Sequence, residues 1–215
     1  MKMFEKVRRH GFTVPMFFVD STGSTNVLAK DMMKLGSNPP FVVLAKSQYA
    51  SYGRIKRKWV GDLVGNIYVS YAMGMRGEAG RHPKLVVGYV ASKICERMRE
   101  RFSLDAYVKV PNDIFVCGKK VGGLLMETVI CKNHIRRAVL GVGINVLVSP
   151  EVVCPEYQAA CMQDFAGWKL DFGEVSVAII EKIVSSIVEL ECGNFVSTGA
   201  KDFCAVDVAG SEFVL

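Results

Sequence analysis

The sequence predicts an α+β fold, with a mixed, largely antiparallel sheet and helices packed on it. Short runs of β-branched and aromatic residues recur between turn formers, which is typical of strands. Two longer stretches repeat apolar residues at three-to-four spacing, which indicates amphipathic helices. The chain has 215 residues, of which 50% are hydrophobic and 22% charged, so we expect one globular domain with at most a small appendage.

The first part of the chain is predicted to alternate strand, helix and strand. Residues 17–20 and 41–48 are short apolar runs bounded by turn formers. Between them, the Ser-Thr-Asn run at 24–26 precedes apolar residues on one helical face, and Gly36 ends that helix. Residues 49–65 are polar and basic and contain glycine, so they are predicted to form a loop.

The second part is predicted to contain a meander of strands between two helices. A strand at 66–75 precedes a helix that begins at Pro83. Three strands then form the meander, and the first of them, starting at residue 106, bends through a tight turn at 111–113. The remaining predicted elements are the strands 121–131 and 135–148 and a second helix over about 173–191.

The positive charge of the chain is concentrated in one place. The formal net charge is +6, and Arg54, Lys56, Arg57 and Lys58 lie within five residues. A nucleic-acid-binding protein usually spreads its basic residues over a face or along a helix. A local cluster is better suited to a compact anion such as a triphosphate, so we do not expect a nucleic-acid partner.

Cysteine usage and hydropathy indicate a cytoplasmic protein. The seven cysteines form no CxxC pair and the three histidines are scattered, so neither a zinc site nor a disulfide framework is predicted. No apolar run approaches the roughly 18 residues of a membrane span. The basic start of the chain lacks the apolar stretch of a secretory signal.

Two segments combine lysine or arginine with glycine. Residues 48–59, the basic loop, contain Gly53 and end in Trp59. The glycine would let the backbone approach a phosphate and the cations could neutralise it, although a solvated loop would look similar. Residues 109–123 place Lys109 and Lys120 on either side of a tight turn and end in paired glycines. Such glycines suggest the close approach of a ligand, although a plain hairpin with exposed lysines is the simpler interpretation.

Two further segments have weaker signals. Residues 140–146 contain Gly141, Gly143 and Asn145, but the third glycine and the helix of a dinucleotide-binding motif are missing, and no Walker A sequence occurs. The Ser-Thr-Asn run at 24–26 is, taken alone, best explained as a helix cap.

Taken in order, these segments resemble the motifs of the catalytic domain of biotin–protein ligases. The match covers about residues 17–148, and five motifs in one order are far more specific than any single motif. In this sequence they are Ser24-Thr25-Asn26, Ser51-Tyr52-Gly53-Arg54-Ile55-Lys56-Arg57-Lys58-Trp59, Lys109-Val110-Pro111-Asn112-Asp113, Lys120-Val121-Gly122-Gly123-Leu124-Leu125-Met126-Glu127 and Gly141-Val142-Gly143-Ile144-Asn145.

The sequence departs from the family pattern at several positions. Ser51 and Tyr52 stand where the family usually has Gly-Arg, Lys56 where it has a third glycine, and Val110 where it has tryptophan. We expect a ligase-like catalytic domain over 1–192, of the class II synthetase-like type. The last residues, 193–215, are expected to stand in place of the family's small C-terminal β-barrel, and no DNA-binding domain is expected.

The resemblance implies that ATP and biotin are substrates, with Mg²⁺ bridging phosphates, and it assigns roles to residues. The catalytic candidates are Lys120, Arg54 and Arg57, and the candidate metal ligand is Asp113. The implied biotin-binding residues are Ser24, Thr25, Asn26, Gln48, Tyr52, Gly53, Arg54, Lys120 and Gly123. The implied ATP-binding residues are Arg54, Arg57, Trp59, Lys109, Asn112, Lys120 and Asn145.

The implied activity is an ATP-dependent ligation that forms biotinyl-AMP and passes biotin to a lysine. The implied partner is the biotin carboxyl carrier domain of a carboxylase, with neither nucleic acid nor membrane as a partner. The oligomeric state stays open between monomer and homodimer. Three alternatives also stay open: a lipoate–protein ligase, a non-catalytic biotin-binding sensor and, supported only by the basic loop, a nucleic-acid-binding protein.

Overall fold

The computed structural model describes residues 2–9, 12–75, 83–131, 134–152, 154 and 156–191, which form an eight-stranded sheet with three α-helices. The helices are α1 (Thr25–Lys34), α2 (Pro83–Phe102) and α3 (Phe172–Glu191). The strands are β1 (Lys2–Arg9), β2 (Phe12–Thr22), β3 (Phe41–Gln48), β4 (Ile67–Gly74), β5 (Ala106–Lys109), β6 (Asp113–Val116), β7 (Lys119–Cys131) and β8 (His134–Ile144).

The sheet is mixed and largely antiparallel, which confirms the predicted fold class. Its strand order is β1-β2-β3-β4-β8-β7-β6-β5. Only β2 and β3 pair in parallel among these strands, and α1 connects them, whereas every other neighbouring pair is antiparallel. A parallel pair needs such a crossover because a tight turn can only reverse the chain.

Two details of the predicted sheet were wrong. The strand β1 was not predicted, because charged residues dominate its sequence KMFEKVRR and hide any alternation. Charge is common on an edge strand, where it discourages pairing with other chains, and β1 lies at an edge. The predicted three-strand meander has four strands, since the chain reverses after Lys109 and β5 and β6 pair antiparallel.

The two faces of the sheet carry different helices. A large apolar cluster joins one face to α2 and α3, including Ile94, Met98 and Ile183. On the opposite face a smaller cluster joins α1 to the sheet, with Ala29 against the region of Val139. Along a strand, every second residue faces the same side of the sheet. Residues 141 and 143 of β8 therefore face the α1 side, as Val139 does. The functional site lies on that side.

None of the helices that the structure describes has an apolar stretch long enough to cross a bilayer. The predicted C-terminal segment at 193–215 lies outside the described residues.

Candidate active site

A cavity of about 350 Å³ opens on the α1 face of the sheet, between the basic loop and the strands β6, β7 and β8. Most of the residues that the sequence singled out lie in its wall, although they come from four separate segments. They are Ser24, Thr25, Asn26, Gln48, Tyr52, Gly53, Arg54, Arg57, Trp59, Lys109, Asn112, Asp113, Lys120 and Gly123.

Asn145 differs from the other predicted site residues because it does not line this cavity. Its side chain is buried, and its Nδ2 donates to the carbonyl oxygen of Ala160 at 2.9 Å. Its main-chain oxygen accepts from the backbone N–H of Met162 at 2.9 Å. The structure therefore places Asn145 behind the wall, where it holds the segment 158–162 beside β7, and its contact with a nucleotide stays a prediction.

Glycines form the floor of the cavity where Trp59 crosses the sheet. A Cβ atom at Gly143 of β8 would lie 2.6 Å from Cζ2 of Trp59, and one at Gly123 of β7 would lie 3.5 Å from Cζ3. The indole can pack on β8 only because Gly143 lacks a side chain, whereas a Cβ atom at Gly123 would be in ordinary van der Waals contact with it. The indole Nε1 is buried and has no hydrogen-bond partner among the described residues, so it can donate to a ligand.

A polar corner, formed by Thr25, Asn26, Gln48 and Ser70, lies at the N-terminus of α1. The Gln48 Oε1 accepts from the backbone N–H of Thr25 at 2.6 Å and from the Thr25 hydroxyl at 3.1 Å. The Ser70 hydroxyl lies 2.7 Å from Thr25 Oγ1 and 2.6 Å from Asn26 Oδ1. Because Gln48 turns its carbonyl toward α1, its amide N–H groups are the donors that it can offer to a ligand.

Glu127 on β7 lies beside the polar corner and binds residues around it. Its carboxylate accepts from Asn26 Nδ2 at 2.9 Å, Lys30 Nζ at 2.7 Å and the Tyr52 hydroxyl at 3.1 Å. Partial burial raises the pKa of Glu127, but the hydrogen bonds from Lys30, Asn26 and Tyr52 outweigh burial, and the pKa is lowered overall. Glu127 is therefore ionised at neutral pH.

A cationic cluster, formed by Arg54, Arg57, Lys109 and Lys120, surrounds the other end of the cavity. Lys120 Nζ lies 2.8 Å from Asp113 Oδ1, and its side chain is only 13% exposed. It also lies 4.6 Å from the ring centroid of Tyr157 and 5.8 Å from that of Trp59. The Asp113 carboxylate and the two aromatic rings thus hold the ammonium in place in the wall of the cavity.

The segment after residue 156 positions Lys120 from the outside. The backbone N–H of Lys120 donates to Gln158 at 2.9 Å, and the Lys120 carbonyl accepts from Ala160 at 2.9 Å. The exposed Glu156 of the same segment pairs with Arg57 at 2.8 Å. The sequence offered no motif for this segment.

The basic loop adopts a tight turn over the cavity. Arg54–Lys56 form a short 3₁₀ turn, in which Ile55 and Lys56 have φ angles of 54° and 57°. Lys56 Nζ lies 3.8 Å from the ring centroid of Tyr52, and Arg54 Nη1 donates to Asn112 Oδ1 at 3.2 Å. The loop thus lies over the cavity.

The described residues provide no ready-made metal site. No group of three or more His, Cys, Asp or Glu side chains that could hold an ion occurs among them. Asp113, the predicted metal ligand, lies in the cavity wall and pairs with Lys120. Since Mg²⁺ is usually held by one or two carboxylates together with substrate phosphates, this residue set suits an ion that arrives with a nucleotide.

Several wall and support residues were missed by the sequence analysis. Ser70 and Lys30 had no motif to mark them, and Tyr157 lies in a segment without predicted structure. Glu127 ends the fourth motif and could have been found there. Gly141 could also have been found, since a glycine inside an apolar strand often marks a close approach, and here Asn26 fills that space.

Together, the two ends of the cavity suit two different ligand groups. The polar corner provides neutral donors and acceptors, whereas the cationic cluster can neutralise several negative charges. Such a cavity can hold a small polar acid by its neutral end and bring its carboxylate to a phosphate.

Comparison with families of known proteins gives one match over most of the described chain. The model of the biotin/lipoate A/B protein ligase family matches residues 18–145. The bifunctional ligase/repressor BirA of Bacillus subtilis is 26% identical over 158 residues, which are 73% of this chain and 48% of that protein. The biotin--[acetyl-CoA-carboxylase] ligase of Paracoccus denitrificans is 27% identical, over 60% of this chain and 54% of that protein. The chain spans about half the length of these curated relatives.

Solved structures of similar fold are also found. A biotin protein ligase from Aquifex aeolicus in complex with biotin and ATP has a TM-score of 0.65 at 21% identity, covering 81% of this chain and 71% of that one. A biotin protein ligase from Leishmania major in complex with biotinyl-5-AMP has a TM-score of 0.64 at 22% identity, covering 87% and 82%. At these identities the likeness concerns the fold.

Proposed function

The chain belongs to the biotin/lipoate A/B protein ligase family, and from this premise we propose that it activates biotin with ATP and transfers it to a protein lysine. The acceptor is the lysine of a biotin carboxyl carrier domain. The observation that carries the proposal is the single cavity that joins a neutral polar corner to a cationic cluster. Both curated relatives and both structures described above are named as ligases, and biotin is named in three of the four.

The polar corner suits the ureido ring of biotin. That ring has one carbonyl acceptor and two N–H donors, so it needs partners of both kinds. Gln48 has amide N–H groups to donate, and Ser24 and Thr25 have hydroxyl groups beside it. The dithiolane ring of lipoate has no such donors or acceptors, and binding it here would leave these polar groups unsatisfied.

The cationic cluster suits the activation step. The biotin carboxylate attacks the α-phosphate of ATP, the bond to pyrophosphate breaks, and biotinyl-AMP forms. Both reactants are anions, so the site must neutralise negative charge as the transition state forms. Lys120 in the cavity wall is suited to contact both the biotin carboxylate and the α-phosphate of ATP. Arg54 and Arg57 are suited to contact the β- and γ-phosphates. Mg²⁺ would enter as part of the nucleotide substrate.

The residues around Trp59 suit the nucleotide. The unpartnered indole Nε1 and the amide of Asn112 border the same space. In the second step the ε-amine of the carrier lysine attacks the mixed anhydride, and AMP leaves with the electron pair of the broken bond. No enzyme nucleophile is required, because adenylation has already activated the acyl group. The basic loop over the cavity limits hydrolysis of that intermediate.

The proposal is tested by pyrophosphate release from MgATP with biotin, with lipoate and with neither acid. We expect release that depends on biotin, and a decrease of about 100- to 1,000-fold in kcat for Lys120→Met, typical for loss of one charge-stabilising group. Lys119→Met is the matched control, since Lys119 is the adjacent lysine and does not line the cavity. Release that depends on lipoate instead, or biotin binding without any release, would contradict the proposal.

A further inference from the structure

Glu127 connects three parts of the molecule that are distant in sequence. It lies on β7, it binds Asn26 and Lys30 of α1, and it accepts from Tyr52 of the basic loop. These partners are 101, 97 and 75 residues away along the chain. One carboxylate is thus the junction between the sheet, the helix that borders the polar corner, and the loop over the cavity.

The junction fixes the orientation of the Asn26 amide. Asn26 Nδ2 donates to Glu127 at 2.9 Å and also lies 3.3 Å from the Leu125 carbonyl, while its Oδ1 accepts from Ser70. A flipped amide would place the Asn26 carbonyl against the Glu127 carboxylate and the Leu125 carbonyl, which is repulsive. The Glu127 carboxylate, together with the Leu125 carbonyl and the Ser70 hydroxyl, therefore fixes which face Asn26 presents to the polar corner.

The same carboxylate holds the basic loop. Lys30 alone would satisfy Glu127 with an ion pair at 2.7 Å, so the added contact with the Tyr52 hydroxyl is not needed to satisfy a buried charge. Ile55 and Lys56 adopt left-handed φ angles, which are unfavourable for residues with a side chain, above all for a β-branched one. The contacts of Tyr52 with Glu127 and Lys56 stabilise that turn.

We propose that Glu127 is a positioning residue, which couples closure of the basic loop to the geometry of the acid-binding corner through Tyr52 and Asn26. The functional part of this inference rests on the proposed biotin-ligase activity. Where the related family usually has arginine, Tyr52 provides a neutral hydroxyl that can bind a carboxylate without changing its charge. Loop position and acid binding therefore change together in this chain when Glu127 or Tyr52 is altered.

The first test measures the loop itself, in the protein without substrates. Trypsin cleaves after the exposed Arg54, Lys56, Arg57 and Lys58 when the loop opens, and mass spectrometry gives the rate for this segment. We expect Tyr52→Phe and Glu127→Gln each to accelerate cleavage by about 10- to 150-fold, the effect of losing one hydrogen bond to a charged group. Tyr52→Phe keeps the ring that Lys56 covers and removes only the hydroxyl.

The second test is the double variant Tyr52→Phe/Glu127→Gln. If one contact links the two residues, the double variant is cleaved no faster than the faster single variant. The Michaelis constant for biotin rises severalfold in all three variants, while kcat changes less than the Michaelis constant does. Asp31→Asn is the matched control, because it converts a carboxylate on α1, the helix of Asn26 and Lys30, whose ion pair among the described residues is with the exposed Lys34.

Two results would overturn the coupling: loop cleavage in Tyr52→Phe equal to that of the native chain, or a double variant whose acceleration is the product of the two single effects. The melting temperature of each variant confirms that it is folded. If Glu127→Gln does not fold, the cleavage rate of Tyr52→Phe alone decides whether the contact with Glu127 holds the loop. The cleavage assay needs no substrate. A chain that releases no pyrophosphate with biotin would refute the ligase proposal and leave the loop measurement valid.

Discussion

At the scale of single residues, the site depends on places where a side chain is missing. Gly143 leaves the space that the Trp59 indole occupies, and Gly141 leaves the space that the Asn26 amide occupies. Neither glycine has a positive φ, so the backbone does not require glycine there. The requirement comes from contact across the face of the sheet, where β8 passes under α1 and the basic loop.

We predict that Gly143→Ala weakens nucleotide binding and also destabilises the fold. The added methyl would lie 2.6 Å from Cζ2 of Trp59, so the indole must move away from the strands. Overpacking of this kind costs about 1 to 3 kcal/mol of unfolding free energy. The Michaelis constant for ATP should rise by about tenfold, the equivalent of about 1.4 kcal/mol lost in binding.

Gly74→Ala is the matched control for this substitution. Gly74 is also a strand glycine, at the end of β4, and a Cβ atom there would meet no atom within 4 Å. It should leave both ATP binding and the melting temperature unchanged. Equal Michaelis constants for ATP in the Gly143→Ala and native proteins would show that Trp59 does not contact the nucleotide.

A second prediction at this scale concerns the pH dependence of stability. The pKa of Glu127 is lowered in the folded chain, so its contribution to stability is fully present above the pKa of an unfolded glutamate and is lost as the pH falls through the lower folded value. Glu127→Gln should therefore destabilise by about 1.5 to 3 kcal/mol at neutral pH, as for a hydrogen bond to a charged group. Urea unfolding between pH 3 and 8 measures the difference between the two proteins. A difference that grows as the pH falls would contradict this assignment.

At the scale of elements, the basic loop and the segment beginning at Glu156 meet over the cavity. Arg57 donates to both oxygens of Glu156, at 2.8 and 3.2 Å. The hydrogen bond from Arg57 lowers the pKa of Glu156. In the proposed reaction, Arg57 exchanges this carboxylate for a phosphate of the nucleotide.

We predict that Glu156→Gln lowers the Michaelis constant for ATP, because it removes a carboxylate that competes with phosphate for Arg57. The two side chains are 62% and 57% exposed, and exposed pairs are weak, so we expect a change of about two- to fivefold. Steady-state kinetics at low and high salt provide the measurement, and the effect should shrink at high salt. Glu151→Gln is a control in the same connecting segment. A higher Michaelis constant for ATP in Glu156→Gln would show that Glu156 supports the nucleotide site instead.

The elements differ in how far the sequence predicts them. The strand β3 and the start of α2 at Pro83 agree with the prediction, because an apolar run or a helix start signal marks each of them. The strand β1 was missed because pairing with β2 stabilises it rather than its own pattern. For the same reason the contact of Tyr52 with Glu127 was missed, since no local spacing encodes a contact across 75 residues.

At the scale of the whole molecule, the two faces of the sheet differ, because one packs the main apolar core and the other borders the cavity. The face under α2 and α3 holds most of the buried apolar residues, whereas the α1 face holds the smaller apolar cluster and the cavity. Motif order along the chain identified most of the cavity wall, because each motif lies in an element or loop on the α1 face. Asn145 is buried behind the wall, which its motif could not show, because a motif match does not give the direction of a side chain.

We predict that biotin stabilises the whole domain without ATP. A ligand at about 100 times its dissociation constant adds about 2.7 kcal/mol to the stability of the state that binds it. For a chain of this size, that corresponds to a rise in melting temperature of roughly 5 to 11 °C, at about 2 to 4 °C per kcal/mol. Lipoate at the same concentration is the comparison in a thermal-shift experiment. A larger shift with lipoate would indicate that the polar corner does not select the ureido ring.

The central claim is that one cavity activates biotin and delivers it to a protein lysine. The most direct measurement is the intact mass of an isolated biotin carboxyl carrier domain after incubation with this chain, biotin and MgATP. We predict the addition of one biotinyl group to a single lysine, which requires ATP and is lost with Lys120→Met but not with Lys119→Met. A carrier domain that stays unmodified under these conditions, or that gains a lipoyl group when lipoate replaces biotin, would contradict the claim.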